Sequence, residues 1–326
     1  MIEAKEKVAF GAVFAEWLWP NLQMKRRIWP VLLGLAYIVL LRALGSTYSG
    51  ELAVGLLPLL DSYNEKTRSF IKYFSPFILT GVVYNSMRFY YWAGIAGHVH
   101  VAEPYFFEKA LFGILQNGKL VTPNEFFQKF HNAALDLVCG FAYLSFVFEY
   151  LAVAFFLFFT GNHKLLRVFG WCFFFVNLLG FVTYLVYPAA PPWYVSQYGL
   201  GPALMTVQPS AAAAQRFDLI LGTHFFDQIY GRGIDVYGSY PSLHVTYPFL
   251  VSFVAFQYKK FRTLAVTFFL LMCLSAVYLQ HHYIVDVVLG VIYASITLKV
   301  TIWGFSQVTQ LESAPYVRGQ RAQKFI

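Results

Sequence analysis

Two apolar runs, residues 245–257 and 263–279, are separated only by the basic turn Tyr258-Lys259-Lys260-Phe261-Arg262. A linker that short folds the second run back along the first, so the pair forms a hairpin that returns the chain to the side it left. Other apolar runs follow the same pattern, and the whole chain is 58% hydrophobic, 20% aromatic and only 12% charged. That balance lies outside the range of soluble domains. It predicts an integral membrane protein, all-α, because a lipid-embedded backbone must satisfy its own hydrogen bonds. A chain of 326 residues holds about six or seven spans at ~20 apolar residues each.

The hairpin matters because of what stands at its two open ends. Gly238-Ser239-Tyr240-Pro241-Ser242-Leu243-His244 leads into the first run, and His281-His282-Tyr283-Ile284-Val285-Asp286 follows the second. His244 and His282 are therefore expected at one water interface. His282 and Asp286 are four apart, so on one helical turn they share a face. A carboxylate there orients one imidazole and leaves its other nitrogen free to attack, while a second imidazole serves as general acid and base. A lone interface histidine needs only water, but an ionisable Asp286 within an apolar run is a functional signal by default. His281 lacks the spacing to Asp286 and is expected to be a bystander. The remaining histidines are read as structural.

Along the chain, residues 8–20 carry Glu16, Trp17 and Trp19 and precede Lys25-Arg26-Arg27, which reads as an interfacial segment over residues 1–27. Residues 28–48 are a candidate span. Residues 52–60 contain Pro58 and are too short to cross, so a re-entrant or surface segment is expected there. Further spans are expected at 74–97, 132–160 and 165–187, with a polar and aromatic loop at 98–131. A long connection over 188–240 then leads to three spans around the histidines, and a polar tail runs over 307–326. One transmembrane domain, residues 28–306, is expected. Cys139, Cys172 and Cys273 all lie inside apolar runs and read as packing residues.

The formal charge of +8 sits in short loops and tails rather than in a nucleic-acid-binding patch. Lys164 with Arg167, the 258–262 turn and the C-terminal tail fall on one side when spans are counted back from the C-terminus. By the positive-inside rule that side is cytoplasmic. The histidines and the 188–240 connection then face the exterior or a lumen: outside the cytoplasmic membrane of a bacterium, or inside a Golgi-type membrane of a eukaryote. Seven spans would place Lys25-Arg26-Arg27 on the wrong side, so either one N-terminal segment is not a true span or residues 52–60 help complete a crossing.

Pro241-Ser242-Leu243-His244 followed by His282-x-x-x-Asp286 resembles the phosphatidic acid phosphatase superfamily of lipid phosphatases and phosphotransferases. The closer resemblance is to the fungal-type inositol phosphorylceramide synthases. It is carried by Tyr187-Pro-Ala-Ala-Pro-Pro-Trp-Tyr194 with Tyr198-Gly-Leu-Gly-Pro202, by Gly238–His244, and by Tyr278-Leu-Gln-His-His-Tyr-Ile-Val-Asp286. It spans residues 103–304, with a looser likeness over 103–113. The resemblance implies a six-helix core and a phosphoinositol or similar headgroup moved from a glycerophospholipid, with phosphatidylinositol the implied donor, to the hydroxyl of a ceramide-like lipid. It also implies a phosphohistidine on His282, with His244 as acid and base and no metal or cofactor.

Phosphatase members carry an early basic motif and an arginine ahead of the nucleophile, where this chain has Ser275-Ala276. Other cations must then meet the phosphate, and Arg216 and Arg232 are the candidates, although Arg216 reads equally well as a solvated loop residue. Tyr240, Ser242, Trp193 and Tyr194 are candidate substrate contacts, with Pro191-Pro192-Trp193-Tyr194 read as a rigid aromatic lid at headgroup level. Asp218, Asp227 and Asp235 suit either polyol hydroxyls or turns, and Asp136 and Glu149 either proton relay or structure. The alternative function is a lipid phosphate phosphatase with water as acceptor. A silent scaffold or transporter is disfavoured by the His244, His282 and Asp286 set and by the lack of internal repeats.

Overall fold

The computed structural model describes residues 28–45, 49–231 and 233–313. The interfacial reading of residues 1–27, the end of the tail and Arg232 lie outside the described residues.

The first helices depart from expectation. α1 (Ile28–Ala43) and α2 (Ser49–Tyr63) are 16 and 15 residues long, and they pack on one another as a hairpin. Their contact is so close that a Cβ on Gly34 would lie 2.1 Å from the Gly55 carbonyl oxygen, a spacing only glycine permits. α3 (Glu65–Ser86) starts earlier than the span expected at 74–97, because Asn64 and Thr67 form a capping box ahead of it. It also stops earlier, breaking into a 3₁₀ turn (Met87–Phe89) and α4 (Tyr91–Ile95).

Residues 98–131, expected as a loop, are folded. α5 (Ala102–Phe112) leads to a hairpin of β1 (Ile114–Gln116) and β2 (Lys119–Val121), then to α6 (Pro123–Lys129). The hairpin turns on Asn117-Gly118, both left-handed with φ of 49° and 75°, the chemistry that a two-residue turn demands. Thr122 and Glu125 cap α6 reciprocally, with Pro123 in its first turn.

α7 (Ala133–Phe159) and α8 (His163–Val186) follow their expected bounds closely. Asn132 accepts from the Leu135 amide at 3.0 Å and sets the start of α7. The connection after α8 holds α9 (Pro192–Tyr198), α10 (Gln215–Leu221) and α11 (Phe225–Tyr230). α12 (Leu243–Tyr258) and α13 (Arg262–Tyr278) form the anticipated hairpin, reversing through Lys259 and Phe261 at positive φ. α14 (Ile284–Ser313) closes the bundle.

α7, α8 and residues Ile284–Ser306 of α14 are long and apolar enough to cross a bilayer. Val138, Phe141, Phe148 and Phe155 form one exposed stripe on α7, whereas Asp136, Cys139, Gly140 and Tyr143 are buried. An exposed apolar stripe of that length suits lipid rather than water. This is an integral membrane helix bundle. One core cluster, with Phe74, Phe169, Phe173, Leu250 and Val254, fills the bundle away from the histidines. Two others flank the histidine end, one around Tyr91, Tyr184 and Tyr237, the other around Tyr143, Phe217 and Met272. The 188–240 connection is bound down by parallel bridges that join His100, Ala189 and Gly238.

Candidate active site

The 238–244 strip and the start of α14 meet at the capped end of the bundle. The Ser242 amide donates to the Asp286 carbonyl at 3.0 Å, and a Cβ on Gly290 would sit 2.5 Å from the Ser242 carbonyl oxygen. Glycine at that position lets α14 pass directly against the entry to α12. The loop before α14 is fixed as tightly. The His281 and His282 amides donate to the Ala276 carbonyl at 3.2 and 3.0 Å. The Asn124 side-chain amide donates to the Val277 and His282 carbonyls, each at 2.9 Å.

Within this frame the two histidine motifs, 38 positions apart in sequence, converge. His282 Nδ1 lies 2.9 Å from the Ser239 carbonyl oxygen and 3.5 Å from Asp286 Oδ2. Both partners only accept, so Nδ1 carries the proton and Nε2 presents a lone pair. His282 Nε2 is 3.3 Å from His244 Nδ1. Asp286 Oδ2 also accepts the Tyr283 amide at 2.9 Å. The expected carboxylate partner is therefore present, but the Ser239 carbonyl is the nearer acceptor. His282 and Asp286 are buried, and His244 is partly accessible.

Several groups at the site were invisible in the sequence. Glu108 is fully buried, and its two oxygens accept the Ile284 and Val285 amides at 3.0 Å each. Together with Asp286 it satisfies the first free amides of α14, an arrangement favoured by the helix dipole. Burial pushes the Glu108 carboxyl up to about 7. The only hint was the loose likeness of segment 103–113, which gave Glu108 no role. The Tyr143 ring stacks on His244 at 4.5 Å and on His281 at 5.0 Å, and the Tyr230 ring packs on His281 at 4.5 Å. His281 is thus a layer in an aromatic stack, and its burial lowers the imidazole to about 3, so it stays neutral.

The candidate substrate contacts fare differently. Arg216 Nε lies 2.6 Å from Asp136 Oδ1, which also accepts the Tyr278 hydroxyl at 2.8 Å, and the guanidinium lies over the Tyr278 ring. Arg216 is therefore an ion-paired residue at the bundle end and not a solvated loop residue. It also gives Asp136 a structural partner. Trp193 and Tyr194 are packed into the core at 5% and 1% exposure, with the Tyr194 hydroxyl accepting the Leu204 amide. They form a supporting layer instead of a lid at headgroup level. Ser242 is fully buried at the start of α12, and the Tyr240 ring packs 5.5 Å from Tyr187.

Asp218 is a local cap, accepting the Phe225 and Phe226 amides at 3.0 and 2.9 Å. Asp235 instead accepts the Tyr84 hydroxyl at 2.9 Å. Burial raises its carboxyl to about 6, opposed by that hydrogen bond and by nearby His282. Among the described residues, no group of three or more His, Cys, Asp or Glu side chains is placed to hold a metal ion.

Comparison with known proteins gives the same picture. Residues 122–300 match the PAP2 superfamily. A phosphoinositol dihydroceramide synthase of Bacteroides thetaiotaomicron is 39% identical over 220 residues, 66% of this chain and 71% of that protein. An inositol phosphorylceramide synthase of Candida albicans is 34% identical over 173 residues, 53% of this chain and 35% of that protein. The catalytic subunit of the Schizosaccharomyces pombe inositol phosphorylceramide synthase is 32% identical over 145 residues, 44% of this chain and 34% of the subunit. The chain thus spans about a third of the length of these fungal relatives. No solved structure matches it. With more than half its length matched, and the two histidine motifs brought together at one end of a membrane bundle, the chain belongs to the PAP2 superfamily.

Proposed function

We propose that the protein transfers phosphoinositol from a glycerophospholipid, phosphatidylinositol, to the hydroxyl of a ceramide-type lipid. The observation that carries this reading is the His282 geometry: Nδ1 is held by Ser239 and Asp286, and Nε2 is directed at His244. The names of the relatives supply the headgroup and the acceptor.

In the first step His282 Nε2 attacks phosphorus and the bond to the diacylglycerol oxygen breaks. His244 gives its proton to that oxygen, releasing diacylglycerol and leaving phosphoinositol on His282. In the second step His244 takes the proton from the acceptor hydroxyl. Its oxygen attacks phosphorus, the P–N bond breaks, and both imidazoles return to their starting states. Asp286 offsets the positive charge that His282 carries during each transfer.

At 3.3 Å the two nitrogens stand too close to flank a phosphoryl group, since attack and proton-transfer distances sum to about 6 Å. Substrate entry must therefore part them. The partly accessible His244 ring, stacked on Tyr143, is the one free to turn.

The basic turns at 163–167 and 258–262 support an active site on the non-cytoplasmic face. Tyr258 packs on Phe156 and Phe158 on His163, so both turns share the end opposite the histidines, as the positive-inside rule requires. Reconstituted protein given headgroup-labelled phosphatidylinositol and labelled ceramide is expected to form a product with both labels, and His282→Ala to form at least 10³-fold less. Inositol phosphate without the ceramide product would make water the acceptor and overturn the transferase reading.

A further inference from the structure

Residues 98–131 form a folded unit beside the spanning helices, and its exposed side is apolar. Phe106, Phe107 and Leu111 of α5, Leu115 and Leu120 of the β-hairpin, and Phe130 just past α6 are all exposed, Leu115 to 75%. Single exposed apolar side chains need no explanation, but six large ones gathered on consecutive short elements mark an interaction surface.

The other side of the unit is fixed to the histidine end. Glu108 accepts the Ile284 and Val285 amides, and Asn124 donates to the Val277 and His282 carbonyls. The Gln280 side-chain amide donates back to the Asn124 carbonyl at 2.6 Å. These attachments set the depth of the unit. The apolar stretch of α14 begins at Ile284, so an element held against its first turn lies where lipid headgroups meet acyl chains. Val288 and Ile292, one and two turns along α14, are exposed, as are Leu270 and Leu274 on α13. The lipid-facing surface of the bundle therefore reaches the point of attachment.

The charges of the unit fit the same neighbour. Its carboxylates are engaged within the protein: Glu103 lies 3.4 Å from His100 Nδ1, Glu108 is taken up by α14, and Glu125 accepts the Tyr105 hydroxyl at 3.0 Å and the Thr122 amide at 2.7 Å. Lys119 and Lys129 are exposed. An apolar face with a basic margin attracts anionic headgroups and buries its rings and aliphatic chains beneath them. Lysine stems follow the apolar surface while the ammonium groups stay at headgroup level.

We propose that residues 98–131 form a membrane-docking unit whose α5 and β-hairpin rest in the leaflet at the histidine end. The exposed rings and aliphatic chains lie among the acyl chains, and Lys119 and Lys129 lie at the lipid phosphates. One face of the unit braces α14 and the histidine loop while the other lies on lipid. A second copy of this chain is the competing occupant of the apolar face, and continuity with the lipid-facing surface of α13 and α14 favours lipid. The placement is independent of which reaction the histidines run.

The test uses full-length protein in nanodiscs of phosphatidylcholine and phosphatidylglycerol, in a Cys273→Ala background that leaves Cys139 and Cys172 buried. Leu115→Cys and Phe107→Cys, at exposed positions on separate elements, would each carry an environment-sensitive fluorophore. Nitroxides on the lipid acyl chains should quench both fluorophores, and aqueous iodide should leave both unquenched. Gln208→Cys, at an exposed polar position in the 188–240 connection, serves as the iodide-sensitive reference. Lys119→Glu should weaken nitroxide quenching at position 115 and admit iodide, and no change would overturn the anchoring role of that lysine. Iodide quenching of both fluorophores without nitroxide quenching would place the face in water. Silence to both quenchers would place it against protein, a second copy included, and either result overturns the docking assignment.

Discussion

At the scale of single residues, the site is defined by which acceptor holds His282. The Ser239 carbonyl at 2.9 Å fixes the Nδ1–H tautomer without help, and Asp286 at 3.5 Å adds charge. Asp286→Asn is accordingly expected to retain the tautomer and lower transfer by about 10–100-fold, well short of the ~10⁴-fold that accompanies a wrong tautomer. Steady-state rates of Asp286→Asn beside His282→Ala check this, and equal losses in the two would refute it. The pairing of His282 with Asp286 was legible because a four-residue spacing is a local property of a helix. The Ser239 carbonyl was not, since backbone acceptors leave no trace in side-chain patterns. The ion pair of Arg216 was hidden for a related reason: Asp136, its partner, stands 80 positions away in sequence.

At the scale of elements, α14 depends on a residue from outside the membrane bundle. Removing the Glu108 carboxylate strands the part-buried Ile284 and Val285 amides, at about 1 kcal/mol for each unpaired group. Glu108→Ala is expected to lower the thermal midpoint in detergent and to reduce transfer as Asp286 loses its frame, with Glu108→Gln intermediate. The Glu108 carboxyl is raised from 4.5 to about 7, so the folded state binds its proton more tightly than the unfolded state does. Its stabilising contribution is present below about 4.5 and is lost as pH rises through about 7. Thermal midpoints across that window should therefore slope less steeply in Glu108→Gln, and an unchanged slope would count against the assignment. Helices α7, α8, α12 and α13 were legible from apolar runs bounded by Asn132, Asn162 and short basic turns. The 98–131 region was not, because its helices are short and mixed in polarity. Its Asn117-Gly118 turn and Thr122-Pro123-x-Glu125 cap were nevertheless available as local signals.

For the whole molecule, the histidine end and the two basic turns lie at opposite ends of the bundle, and the proposed orientation puts the histidine end outside. In a Cys273→Ala background, where Cys139 and Cys172 are buried, an impermeant thiol reagent added outside intact cells should label Leu200→Cys. It should label Phe261→Cys only after lysis, since both positions are exposed. The reverse pattern would invert the orientation. Membrane class and the bundle were readable from composition and spacing. The α1–α2 hairpin was not, because its packing depends on Gly34 meeting Gly55, a contact that no hydropathy pattern encodes.

The clamp that Glu108 places on α14 bears on where this protein can be cut. The match to the superfamily begins at residue 122, but the carboxylate that finishes the last helix lies before it. A chain trimmed to those borders would keep His244 and His282 and lose the brace that aligns them. Truncation at residue 98 should yield a competent enzyme more readily than truncation at residue 122, because the inherited motif is shorter than the unit that folds.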